Sequence, residues 1–88
     1  MVQIIENHAE ISGVLVKSAP SQDRPGFLVL TVRVDAAHSV DKWPNMFTHD
    51  VGRTIELLAR EGSPAAQTPP GPIRLNVRKA NLTTSFAD

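Results

Sequence analysis

The segment GFLVLTVRVDA, residues 26–36, constrains the fold most strongly because its apolar residues recur at every second position. Side chains of a β-strand alternate between the two faces of a sheet, so this pattern predicts a strand with one buried face. The predicted buried face carries Leu28, Leu30, Val32 and Val34. The opposite face carries Phe27, Val29, Thr31, Arg33 and Asp35.

Shorter segments with similar chemistry lie on both sides of this strand. EISGVLVKS (10–18) is a predicted strand whose interior glycine, Gly13, indicates a bulge or a sharp bend. PIRLNVRKA (72–80) alternates again, VQII (2–5) is a short β-branched run, and LTTSF (82–86) is a last short element. Several short strands separated by turn residues predict an all-β sandwich or barrel. With so few strands, closure into a small barrel of five or six strands best removes exposed edges.

One segment, HDVGRTIELLAREG (49–62), fits either a helix or a strand. As a helix, it would be capped by Asp50, would bury one apolar face and would stop at Gly62. As a strand, it would turn alternate apolar residues inward. Gly52 and the β-branched residues that follow it disfavour a helix start, so we favour a strand over 51–60.

The segment AHSVDKWPNMF (37–47) also leaves two structures open. Pro44 rules out a central strand because proline cannot donate to a ladder. A short edge strand around 39–43 and an irregular connection both remain. Turn residues predict two long loops, at 18–26 and at 61–72, and the second loop ends in three prolines.

Composition limits the class of protein. The 88 residues form a single predicted domain, 1–88, with nine basic and nine acidic side chains and hence no net charge. The chain has no cysteine, which excludes disulfides, thiol catalysis and cysteine-ligated zinc. No apolar run approaches the ~18 residues of a membrane span, and the first residues do not look like a secretory signal. We therefore expect a soluble cytoplasmic protein that does not bind membranes.

The order of these pieces resembles an OB-fold of the single-stranded-DNA-binding and primosomal replication protein type. The resemblance rests on AEISGVLVKSAP with its central glycine, on GFLVLTVRV, on KWPNMF leading into VGRTIELLAR, and on GPIRLNVRKANLTTS. An SH3-like barrel gives much the same pattern. The OB resemblance implies that 18–26 joins strands one and two, and that 62–72 joins strands four and five beside the ligand face. There the proline segment is either a semi-rigid arm or a tolerated surface insertion.

The resemblance also implies a ligand. OB-folds bind single-stranded nucleic acid with a positive groove and with aromatic side chains on which bases stack. The predicted groove residues are Lys17, Arg33, Trp43, Arg53, Arg74 and Arg78. Phe27 and Phe47 are instead predicted to be core or interface residues, since the barrel has few aromatic residues for its core.

Catalysis is not expected. The three histidines, His8, His38 and His49, show no spacing typical of a metal site or of a general base. No nucleophile motif and no phosphate-binding glycine motif is present, so we predict neither a metal nor any other cofactor. The alternative function is a protein-interaction or assembly module. Leu57 and Leu58 are adjacent, so one of them must leave the core of a strand, and an apolar outer face predicts self-association.

Overall fold

The computed structural model describes residues 5–81 and 83–88, and the five strands in these residues close into a barrel. The strands are β1 (Ala9–Pro20), β2 (Phe27–Ser39), β3 (Thr54–Arg60), β4 (Gly71–Lys79) and β5 (Ser85–Ala87). Their order is β1-β2-β3-β5-β4, and β4 pairs with β1 to close the barrel. β3 and β5 run parallel, whereas every other pair is antiparallel. The predicted all-β barrel is confirmed, and it is consistent with an OB-like fold.

The first strand is bent, as its interior glycine indicated. The register of β1 against β2 shifts between Ser12 and Gly13 and again between Leu15 and Lys17. Such bulges bend a strand and increase its twist. The first part of β1, up to Leu15, pairs with both β2 and β4, whereas residues 17–20 pair with β2 alone.

Alternating side chains from each long strand fill the core. The buried residues of the strands are Ala9, Ile11, Leu15, Leu30, Val32, Val34, Leu57, Ala59, Ile73, Leu75, Val77 and Ala87. The predicted inward faces of β2 and β4 are thus confirmed, with Leu28 packed at the margin of the core.

The ambiguous segment contains a strand, not a helix. β3 pairs with β2 over its whole length, Thr54–Arg60, and turns Leu57 and Ala59 into the core. A helix here would leave the free edge of β2 without backbone partners, which a closed barrel cannot tolerate. Residues 51–53 form a turn before the strand, so Val51 is exposed.

The segment with Pro44 is an irregular connection, which was one of its two open structures. β2 ends at Ser39, and residues 40–47 contain no strand. Phe47 ends this connection with a fully buried ring, as predicted, and one 3₁₀ turn, Thr48–Asp50, follows it.

The predicted position of the proline segment is wrong. Only three of the described strands precede it, so residues 61–70 join β3 to β4, and the connection between strands four and five follows Lys79. The segment is also neither an arm nor a simple surface insertion. The backbone N–H of Gln67 donates to the Ser63 carbonyl at 3.2 Å, and the turn this closes places Ala65 in the core, 1% exposed.

The start of the chain contributes one residue to the described structure. The short run VQII lies outside the described residues except for Ile5, which precedes β1 and is exposed. Over residues 5–81 and 83–88, no helix has the length and apolar character needed to cross a bilayer.

Candidate functional site

The outer face of the barrel carries an apolar row across three neighbouring strands. Val29 of β2 lies opposite Leu58 of β3, and Leu58 lies opposite Phe86 of β5. Arg78 of β4 pairs with Phe86 and continues the row. These four residues, here called the outer row, are half-buried although they do not belong to the core. The row offers a ligand a contact surface that bends around the barrel.

Two phenylalanine rings meet at one side of this row. Phe27, the first residue of β2, packs edge-to-face on Phe86, with ring centroids 5.9 Å apart. Two arginines lie over the Phe86 ring: the guanidinium carbon of Arg78 is 4.7 Å from its centroid and that of Arg24 is 5.6 Å away. Both distances are within the range of a cation–π contact. The ring pair thus carries positive charge on its surface.

A third arginine completes the group. Arg60, the last residue of β3, lies opposite Phe27 in the β2–β3 register. Arg60, Arg78 and the two rings line one open groove of about 390 Å³, together with Ala87 and Asp88. Phe27, Phe86, Arg24, Arg60 and Arg78 are called the aromatic–arginine cluster below.

Three basic side chains outside this cluster have an acidic partner, whereas Lys17, Lys42 and Arg53 have none within 4.0 Å among the described residues. Arg33 pairs with Asp35 at 3.3 Å, Arg74 with Glu10 at 3.6 Å, and Lys79 with Asp50 at 3.0 Å. The three arginines of the cluster have no carboxylate within 4.0 Å among the described residues, even though Asp88 lines the same groove. What distinguishes the cluster is that three arginines without an acidic partner are grouped around one pair of aromatic rings.

A second cleft begins at Arg24 and lies between two loops. The loop between β1 and β2 supplies Asp23 and Arg24, and the segment after β4 supplies residues 83–85. Val29, Leu58 and Glu56 form its floor on the strands, and its volume is also about 390 Å³. The two loops that border this cleft are those after β1 and β4.

The predicted groove residues do not form one site. Arg78 belongs to the aromatic–arginine cluster. Lys17 and Arg33 project from the outer face of β1 and β2, and Arg53 directly precedes β3. Arg74 lies on the wall made by β1 and β4, against Glu10. Arg74 and Arg78 share the outer face of β4, but Arg74 lies beside Ser12 of β1 and only Arg78 lies beside the Phe86 ring.

Trp43 lies in the irregular connection and is 38% exposed. Its ring packs edge-to-face on His8, with centroids 4.8 Å apart. His8 also lines a groove whose other wall includes Arg78 and Lys79. Trp43 is thus placed beside a groove that leads to the cluster, but it is not a member of the cluster.

Sequence reasoning missed four cluster residues, namely Phe27, Phe86, Arg24 and Arg60. Of the two predicted positions for Phe27, core or interface, the structure excludes the core, because Phe27 is half-buried on the outer face. Strand parity was the available signal, since Phe27 shares its face with Val29 and Arg33 and not with the buried leucines.

The remaining titratable residues do not converge. Among residues 5–81 and 83–88, no three His, Cys, Asp or Glu side chains are grouped closely enough to hold a metal ion. His8 contacts Glu6 at 3.5 Å and the ring of Trp43, an arrangement that fixes the imidazole but presents no second base or nucleophile.

Comparison with known proteins gives no relative. No family model, no curated protein and no solved structure matches this chain.

Proposed function

We propose that this chain is a non-catalytic binding module that holds single-stranded nucleic acid on the aromatic–arginine cluster. The observation that carries the proposal is the grouping of three arginines without a carboxylate partner around two half-exposed rings. Binding of single strands needs cations for the phosphates and ring faces for the bases, and the cluster combines both. The OB-like strand order supports a ligand site beside the loop between β1 and β2, which supplies Arg24 to the cluster.

The cluster suggests how a strand would be held. Arg24 and Arg78 cover the Phe86 ring through side chains that are long and flexible. A phosphate attracts each guanidinium more strongly than a ring does, because arginine pairs with it through charge-assisted hydrogen bonds. The arginines would turn toward the backbone of the strand, and a base would take their place on Phe86.

Exchanging Arg78 for glutamine is expected to weaken binding of a labelled single-stranded oligonucleotide and to lower its salt dependence. Removing one arginine–phosphate pair reduces the slope of log K against log salt by about 0.7 for single strands. Arg74→Gln is the matched control, since it removes the same charge from the same strand at a position paired with Glu10. Fluorescence anisotropy at several salt concentrations measures both. An equal reduction of the slope in the two variants would contradict the placement of the site.

A leucine at position 86 is expected to weaken binding by about fivefold or more without unfolding the barrel. Stacking of one base on an aromatic ring contributes about 1–3 kcal/mol, and leucine keeps apolar bulk on β5 but has no ring face. The same anisotropy titration measures the weakening, and circular dichroism checks the fold. A Phe86→Leu variant that is folded and binds as tightly as the parent protein would exclude base stacking on this ring.

The outer row supports a second candidate, a protein-interaction or assembly module. Val29, Leu58 and Phe86 form a continuous apolar surface on three strands, and such surfaces commonly meet a second copy or another protein. A mass that rises with concentration, is unaffected by salt and no longer rises in Leu58→Gln would favour this function. A concentration-independent monomer would exclude self-association.

A further inference from the structure

The cleft between the β1–β2 loop and the segment after β4 gives the proposed binding module a second contact surface for its ligand. This inference rests on the proposed function. The lining of the cleft combines apolar side chains, Val29 and Leu58, and four hydroxyl side chains with two carboxylates, Asp23 and Glu56. Arg24 lines the cleft and also lies over Phe86, so the cleft continues directly from the aromatic–arginine cluster. A strand held at the cluster would therefore reach the cleft with its next nucleotide.

The two carboxylates in the cleft disfavour binding of a phosphate group there. An ionised carboxylate only accepts hydrogen bonds, and it repels a phosphate of the same charge. Asp23 and Glu56 have no basic partner within 4.0 Å among the described residues, so their oxygens are available to a ligand's donors. The arginines thus suit the backbone of a strand, whereas the cleft suits the edge of a base.

The hydrogen-bonding groups on the edge of each nucleobase then determine which base fits the cleft. Cytosine carries an exocyclic amino group that donates to Asp or Glu, whereas thymine and uracil present a carbonyl oxygen at the same place. A carbonyl oxygen facing Glu56 would set two acceptors against each other. The cleft has room for a nucleotide, and its apolar floor matches the flat face of a base.

We propose that the cleft is a base-selective subsite that takes bases with an exocyclic amino group, cytosine in particular, in preference to thymine or uracil. Glu56 is the principal acceptor because it projects from β3, paired with β2, whereas Asp23 lies on a loop. In this proposal the cleft selects among the bases, and the aromatic–arginine cluster supplies the affinity for the strand.

The test compares oligodeoxycytidine with oligodeoxythymidine of about twelve nucleotides, a length within the usual site size of an OB-fold. Both have the same number of phosphates and pyrimidine bases, so the electrostatic contribution is equal. We expect the full chain at neutral pH and low salt to bind oligodeoxycytidine at least about fivefold more tightly. Glu56→Gln should reduce this ratio to below about twofold, because an amide offers both a donor and an acceptor.

Glu10→Gln is the matched control, since it removes one carboxylate from the β1–β4 wall, outside the cleft. Its ratio should equal that of the parent protein. Equal binding of the two oligonucleotides, tighter binding of oligodeoxythymidine, or an unchanged ratio in a folded Glu56→Gln variant would overturn the subsite and leave the proposed function standing. Binding of neither oligonucleotide would overturn both proposals.

Discussion

Replacing Gly13 with alanine is expected to destabilise the barrel by about 3 kcal/mol or more. A Cβ at this position would overlap the carbonyl oxygen of Arg33 and would lie 3.1 Å from the backbone nitrogen of Asp35. Both atoms belong to the backbone of β2, so no side-chain rotation can relieve the overlap. Relief would require β1 to move away from β2 at its bulge, where the pairing of the longest two strands is already irregular.

Urea denaturation followed by the fluorescence of Trp43 measures this destabilisation, which is a large part of the 5–15 kcal/mol typical of a native domain. Gly26→Ala is the matched control. Gly26 has φ of 85° but nothing within 4 Å of the added Cβ, so alanine there costs only about 1–2 kcal/mol of backbone strain. A Gly13→Ala variant no less stable than Gly26→Ala would show that β1 and β2 do not approach as closely as described.

Replacing Asn7 with alanine is expected to cost about 3 kcal/mol. Asn7 is 1% exposed, and its side chain holds both backbone groups of Lys79: Nδ2 donates to the carbonyl at 3.0 Å and Oδ1 accepts from the N–H at 2.8 Å. A further bond runs from Nδ2 to the carbonyl of Ile5 at 2.9 Å. A buried backbone group left without a partner costs about 1–3 kcal/mol, and this substitution leaves two on Lys79 alone.

The same denaturation experiment compares Asn7→Ala with Asn81→Ala. The side chain of Asn81 is exposed and only accepts two local hydrogen bonds from Thr83, so its removal should cost less than about 1 kcal/mol. Because Asn7 fixes the end of β4, its removal should also displace the neighbouring Arg78 and weaken oligonucleotide binding. Equal stability of the two variants would mean that water replaces the amide of Asn7 without cost.

Alternation and turn residues were sufficient to predict the closed barrel. The apolar positions of β2 and β4 predicted their buried faces, and Gly13 predicted the bulge of β1. These features depend on neighbours in sequence, and local chemistry determines them. The strand over 51–60 was less certain because its composition suits a helix almost as well. It is extended because β2 offers an unpaired edge, which is a tertiary effect.

The aromatic–arginine cluster was harder to predict. Arg24 and Phe86 are far apart in sequence, and only the pairing of β5 between β3 and β4 brings them together. The proline segment was misplaced for a related reason. The segment around Pro44 was allowed as a strand, and counting it shifted every later connection by one place. The prolines of the segment 61–72 also did not indicate that Ala65 would be buried in the core.

An NMR titration of the ¹⁵N-labelled chain with a single-stranded oligonucleotide tests the central claim most directly. The proposal predicts salt-sensitive shifts of the amide resonances of Phe27, Arg60, Arg78 and Phe86, with smaller shifts at Glu10 and Arg74, where β4 pairs with β1. Shifts larger at Glu10 and Arg74 than at the cluster residues, or no shifts at low salt in a folded sample, would contradict it.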